Sequence, residues 1–223
     1  MAGLTLGTNC GFCSTSPTTD PDCGSTLDID NKGRVVKDTS PSGATTITEV
    51  GFYCPSNDGT ERDYSVVLYD DGGVDGIADD RLEYTSPLTN TVSTGVGWKV
   101  QTGLNWSISA STAYWFGCFV AYSSGAGIKM DYDNAADWAL ERGYVNETYA
   151  QSDDPWSGGG FFTTNNAYAV FAKVTVSATG NDVKINIGDS WKTMDAMKVN
   201  IGDSWKVVEG AQINIGDSWK TIF

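Results

Sequence analysis

Histidine is absent from this 223-residue chain. Its absence removes Ser-His-Asp and Cys-His nucleophile systems and every histidine-ligated metal site. A glycosidase working with two carboxylates is not excluded by it. Positive charge is scarce: 14 Lys and Arg stand against 28 Asp and Glu, for a net charge of −14. Such a chain repels phosphate backbones and anionic lipid surfaces, and no basic stripe offsets this, so no nucleic-acid partner is expected. Long apolar runs are missing too. None approaches the roughly 20 residues of a membrane span, so no membrane insertion is expected. The first stretch, MAGLTLGTNCGFCSTSPTTD, has no basic n-region and no apolar h-region. It is not read as a secretory signal. Cysteine is sparse and odd in number: Cys10, Cys13, Cys23, Cys54 and Cys118. An odd count forbids complete pairing within one chain. Cys10, Cys13 and Cys23 are the disulfide candidates, within the N-terminal stretch or to a neighbouring subunit. A zinc site there would need Cys54 or a carboxylate as fourth ligand.

What is present favours strands. Eight Trp, ten Tyr and eight Phe accompany many Thr, Val and Gly. This mixture suits short strands and tight turns. Residues 1–24 have no periodicity and read as an extended Cys-containing arm. Residues 25–177 alternate apolar runs with Gly, Asp and Asn clusters. The expected strands are Thr46–Tyr53, Tyr64–Tyr69, Arg81–Thr85, Gly97–Gln101, Ala113–Tyr122, Ile128–Tyr132 and Tyr168–Val176. Asn134–Glu141 is the one helix-like stretch. The fold class is therefore all-β, a jelly-roll-like β-sandwich. Residues 178–182 form a linker.

Beyond the linker the chain repeats itself: KINIGDSWK at 184–192, KVNIGDSWK at 198–206 and QINIGDSWK at 212–220, with Trp191, Trp205 and Trp219 fourteen residues apart. Self-similarity this close marks a structural repeat. Fourteen residues fit one β-hairpin and a connector, so residues 183–223 read as three tandem hairpins. A three-residue loop, Gly188-Asp189-Ser190 in the first copy, would place Ile187 opposite Trp191 and gather the apolar residues on one face. On that reading Ile187, Trp191, Ile201, Trp205, Ile215 and Trp219 are packing residues, and a lone hairpin needs partners to bury them.

Two loops carry chemistry-bearing residues. Asp70, Asp71, Asp75, Asp79 and Asp80 lie among glycines, a ligand type that suits Ca²⁺ although the spacing is not that of an EF-hand. Apart from this Ca²⁺ candidate, no cofactor is expected. Trp156, beside Asp153 and Asp154 on a Gly-rich loop, with Phe161 and Phe162 following, suits sugar stacking or a subunit contact.

Leu68-Tyr69, the 70–80 loop and Thr112-Ala113-Tyr114-Trp115 together resemble non-catalytic β-sandwich modules of bacterial secreted and phage-encoded proteins. The INIGDSWK copies resemble repeats near the ends of phage tail and fibre proteins. These resemblances imply a non-enzymatic structural protein of a bacteriophage virion: a fibre, tail-surface or capsid-decoration component. Its expected partners are further copies of itself, other virion proteins and a host-surface glycan. It would be made in the host cytoplasm and released by lysis. The alternative is a secreted carbohydrate-binding or adhesive module using Trp156 and the 70–80 loop.

Overall fold

A computed structural model describes residues 3–55, 62–72, 78, 80–85, 90–92, 95–121, 128–133, 141–145, 160–163 and 167–177, and in the C-terminal part residues 184–187, 190–193, 198–201, 204–207, 212–215 and 218–221. No helix occurs among them. The chain divides into two compact units, Met1–Val176 and Ser177–Phe223.

The first unit holds fourteen strands: β1 (Gly11–Cys13), β2 (Ser25–Asp28), β3 (Lys32–Thr39), β4 (Ala44–Cys54), β5 (Arg62–Asp70), β6 (Arg81–Tyr84), β7 (Asn90–Val92), β8 (Gly97–Ser107), β9 (Ala113–Val120), β10 (Lys129–Asp133), β11 (Glu141–Val145), β12 (Gly160–Thr163), β13 (Ala167–Tyr168) and β14 (Val170–Val176). One sheet runs β1-β14-β4-β8. A larger one runs β12-β11-β3-β9-β5-β6, with β7 also paired to β5, and a small one runs β13-β10-β2. The all-β class is as expected, and the arrangement is sandwich-like.

The long runs of β5 and β9 follow from burial on both faces, because side chains alternate along a strand. Tyr114, Phe116, Cys118 and Val120 of β9 join Val66 and Leu68 of β5 in the main core with Ile47, Val50 and Phe52 of β4. The alternate residues Trp115 and Phe119 of β9, with Val67 and Tyr69 of β5 and Val35 of β3, form a second cluster. A strand buried on both sides reads as a continuous apolar run, which is what AYWFGCFV is.

Two expectations are corrected. The N-terminal stretch, expected as an extended arm, enters the sandwich. Gly11–Cys13 pair in parallel with Phe171–Lys173. Leu4, Cys10 and Phe12 belong to the main core, where the Phe12 ring lies 4.7 Å from that of Phe116. The amide of Phe12 donates to Asp38 Oδ2 at 2.8 Å, and that of Thr39 to Asp38 Oδ1 at 2.7 Å. Burial pushes the Asp38 carboxyl up, and these two hydrogen bonds oppose the rise.

The second correction concerns the hairpins. β15 (Lys184–Ile187) with β16 (Ser190–Thr193), β17 (Lys198–Ile201) with β18 (Ser204–Val207) and β19 (Gln212–Ile215) with β20 (Ser218–Thr221) are three separate two-stranded sheets. Their register differs from the expectation. Ile187 pairs with Ser190 and Asn186 with Trp191, and the same offset recurs at Asn200↔Trp205 and Asn214↔Trp219. Two residues, Gly then Asp, separate the paired strands in each copy. Gly in the first of two loop positions is the chemistry of a type II′ turn, whose twist matches the strands. In the observed pairing Ile185 stands opposite Lys192, so the apolar residues of the two strands are not gathered on one face.

Candidate functional site

Of the 70–80 loop, residues 70–72, 78 and 80 are described, and Ala78 belongs to the second cluster. Asp70 ends β5, and its Oδ1 accepts from the amides of Gly72 and Asp80 at 3.4 and 3.1 Å. Its own amide donates to the Asp80 carbonyl at 3.1 Å. Asp71 Oδ2 lies 2.9 Å from Lys37 Nζ, and Asp71 Oδ1 accepts from Trp115 Nε1 at 3.0 Å. Lys37 also sits over the Trp115 ring, 5.6 Å from its centroid. Register explains the meeting: Trp115 of β9 is opposite Lys37 of β3 on one side and Tyr69 of β5 on the other. Ala78, from the loop itself, completes the cluster.

The two carboxylates at the start of this loop are thus engaged by amides, an indole and an ammonium. Asp75 and Asp79, the other proposed Ca²⁺ ligands with Asp80, lie outside the described residues. Among the described residues, no group of three or more Cys, Asp or Glu is arranged to hold a metal ion. Trp156 also lies outside them. Phe161 and Phe162 fall in β12, opposite Gly143 and Arg142 of β11.

No disulfide joins any two of the five cysteines within this chain, so the candidates Cys10, Cys13 and Cys23 are not bridged to one another in the structure. Cys10, Cys13, Cys54 and Cys118 are buried, and Cys23 is partly exposed. Cys10 Sγ donates to the Tyr168 carbonyl at 3.4 Å and Cys13 Sγ to the Cys10 carbonyl at 3.7 Å. Burial pushes Cys13 and Cys23 each up to about 12, and Asp131 and Asp133 reinforce the rise at Cys23. Such thiols carry almost no thiolate at neutral pH and are poor nucleophiles. A disulfide-exchange reagent such as DTNB is therefore expected to modify no cysteine other than Cys23 in the folded protein, and that one slowly. All five should react in guanidinium. Two or more fast-reacting thiols under native conditions would contradict the burial.

Sequence reasoning missed a further group of residues. Residues 19–23 cross the ends of β4, β8 and β10. Trp98 Nε1 donates to the Thr19 carbonyl at 2.8 Å, and the Tyr53 hydroxyl donates to Asp20. Cys23 donates to the Asp131 carboxyl through both its amide and its thiol. Beneath this strap, the Trp98 ring packs edge-on against Tyr53 and Phe171, each at 5.3 Å. Nearby, Glu49 receives Lys173 Nζ at 2.7 Å and the Ser16 hydroxyl at 2.5 Å. Burial would raise the Glu49 carboxyl, but these donors win and hold it below its usual range. No local pattern marked Asp131 as buried, because alternation with Met130 would place it on the solvent face. Its partners, over a hundred positions away, were not visible.

No protein-family model matches the chain, and neither the curated proteins nor the solved structures contain a match to it.

Proposed function

We propose that this chain is a non-enzymatic structural component of a bacteriophage virion, a fibre, tail-surface or capsid-decoration protein. Its sandwich would be the displayed body, and its terminal hairpins would make contacts with further copies or with other virion proteins. The observation that carries this reading is the run of three near-identical hairpins, each a sheet of its own, that follows an all-β unit along the chain. Two-stranded sheets are marginal alone and gain stability from neighbours. The charged groups near the described aromatic surfaces are engaged in holding loops and strands together, as Asp71 and Glu49 are.

The cysteines favour this reading over the secreted adhesin. Proteins that mature in oxidising compartments use disulfides, whereas an odd set of five cysteines, four of them buried, suits folding in a reducing cytoplasm. The test is fractionation of an infected or induced lysate on a density gradient. The chain should sediment with particles and stay with them through a second gradient. Recovery solely as a slow-sedimenting soluble protein, with saturable binding on a glycan array, would overturn the proposal in favour of the adhesive module.

A further inference from the structure

Asp131 is 3% exposed, yet it lies among like charges. Asp20 and Asp22 act on it from the strap, and Asp133 is two residues along its own strand, on the same face. Lys129, two residues the other way, is exposed and stands opposite Asp28 of β2. Tyr53 reaches the same region from β4 and is itself pushed up, by burial first and then by Asp20 and Asp131. Against these stand the amide and thiol of Cys23, both donating to the carboxyl. The strap's other attachments here are the indole of Trp98 on Thr19 and the hydroxyl of Tyr53 on Asp20.

We propose that residues 19–23 are a proton-operated clasp, which protonation of Asp131 closes onto the sandwich and its ionisation loosens. In the closed form a neutral Asp131 sits under the strap with no repulsion toward Asp20 and Asp22. When it ionises, a buried charge faces Asp20 and Asp22, which stand exposed on the strap above it, and the cheapest relief is to lift that strap and let water reach the carboxylate. Lifting it uncovers the Trp98, Tyr53 and Phe171 rings, so the clasp also controls an aromatic surface.

The direction follows from linkage. Burial, followed by Asp20, raises Asp131 to about 6 despite the Cys23 hydrogen bonds. An aspartate free of these neighbours titrates near ~3.9. A carboxyl raised in the closed form stabilises that form fully below the lower value, and the contribution is lost as pH rises through the upper one. Opening should therefore become about tenfold easier between pH 5 and pH 7.5.

The experiment is hydrogen exchange of the full-length protein, corrected for the intrinsic pH dependence of exchange, together with a ¹³C titration of the Asp131 carboxyl. Amides of residues 19–24 should lose about tenfold in protection from pH 5 to pH 7.5, while β9 is unchanged. The carboxyl midpoint should fall near 6, as its surroundings demand. Asp131→Asn should abolish the pH dependence of the strap. If that variant does not fold, Asp20→Asn should still lower the carboxyl midpoint by removing the nearest like charge on the strap. Protection that does not change with pH, a midpoint near ~4, or a folded Asp131→Asn that still titrates would each overturn the proposal.

Discussion

Replacing Gly117 with alanine is expected to be the most damaging single methyl addition in the sandwich. Gly117 lies mid-way along β9, between β3 and β5, opposite Val35 and Val67. A Cβ built there runs into the carbonyl oxygen and carbon of Arg34 and the Cα of Val35. These are backbone atoms of a strand hydrogen-bonded on both sides, so no side-chain rotation relieves the clash. β3 would have to move away from β9, opening the ladder and disturbing both clusters at once. Overpacking in a core commonly costs 1–3 kcal/mol, and a rigid obstacle puts this case at about 3 kcal/mol or more. In a unit of this size that corresponds to a fall in Tm of about 6–12 °C. Gly24→Ala is the control, because a Cβ there meets nothing within 4 Å. It should stay within about 0.5 kcal/mol of the parent, as surface changes do. Equal stabilities for the two variants would mean that β3 yields freely, contrary to its place in the sheet.

The same strands show what was legible in the chain and what was not. β4, β5, β9 and β14 coincide closely with apolar runs, since burial on one or both faces writes itself into composition. β3, although it is a neighbour of β9 in the larger sheet, escaped notice. Half of its sequence KGRVVKDT is charged, because Arg34 enters the interior beside Cys118 and Lys37 and Asp38 bind partners from other segments. β1 is only three residues long and is held by its partner strand rather than by its own pattern. The hairpins exposed an assumption. A single apolar face was presumed, whereas the pairing sets Asn186 against Trp191 and Ile185 against Lys192. The 70–80 loop was legible as acidic but not as to purpose, because Lys37 and Trp115 reach Asp71 only through sheet register. The strap was illegible for the same reason: Asp20 and Asp131 are brought together by the pairing of β2 with β10.

Trp115→Ala should nearly match the Gly117 variant in cost, by the opposite mechanism. Trp115 is fully buried and is the largest side chain of the second cluster. Truncating it opens a cavity between β3, β9 and the 70–80 loop and removes the donor that Asp71 accepts. Large-to-small changes of this kind cost about 3–5 kcal/mol. The cavity and the polar loss can be separated. Trp115→Phe keeps most of the ring and loses the indole N–H, so it should cost about 1–3 kcal/mol, mostly from a less satisfied Asp71. Asp71→Ala leaves the Trp115 indole N–H and the Lys37 ammonium without their shared acceptor and should cost a similar amount. Urea unfolding of the three variants in Ca²⁺ and in EDTA then decides the meaning of the loop. If Asp71 acts as a structural anchor, Asp71→Ala loses the same stability in both. If the loop instead owes its order to a bound cation, the loss appears in Ca²⁺ and vanishes in EDTA, because the parent protein is then already weakened. The ion pair at 2.9 Å and the indole hydrogen bond at 3.0 Å favour the first outcome: both oxygens of Asp71 already have partners that belong to the chain.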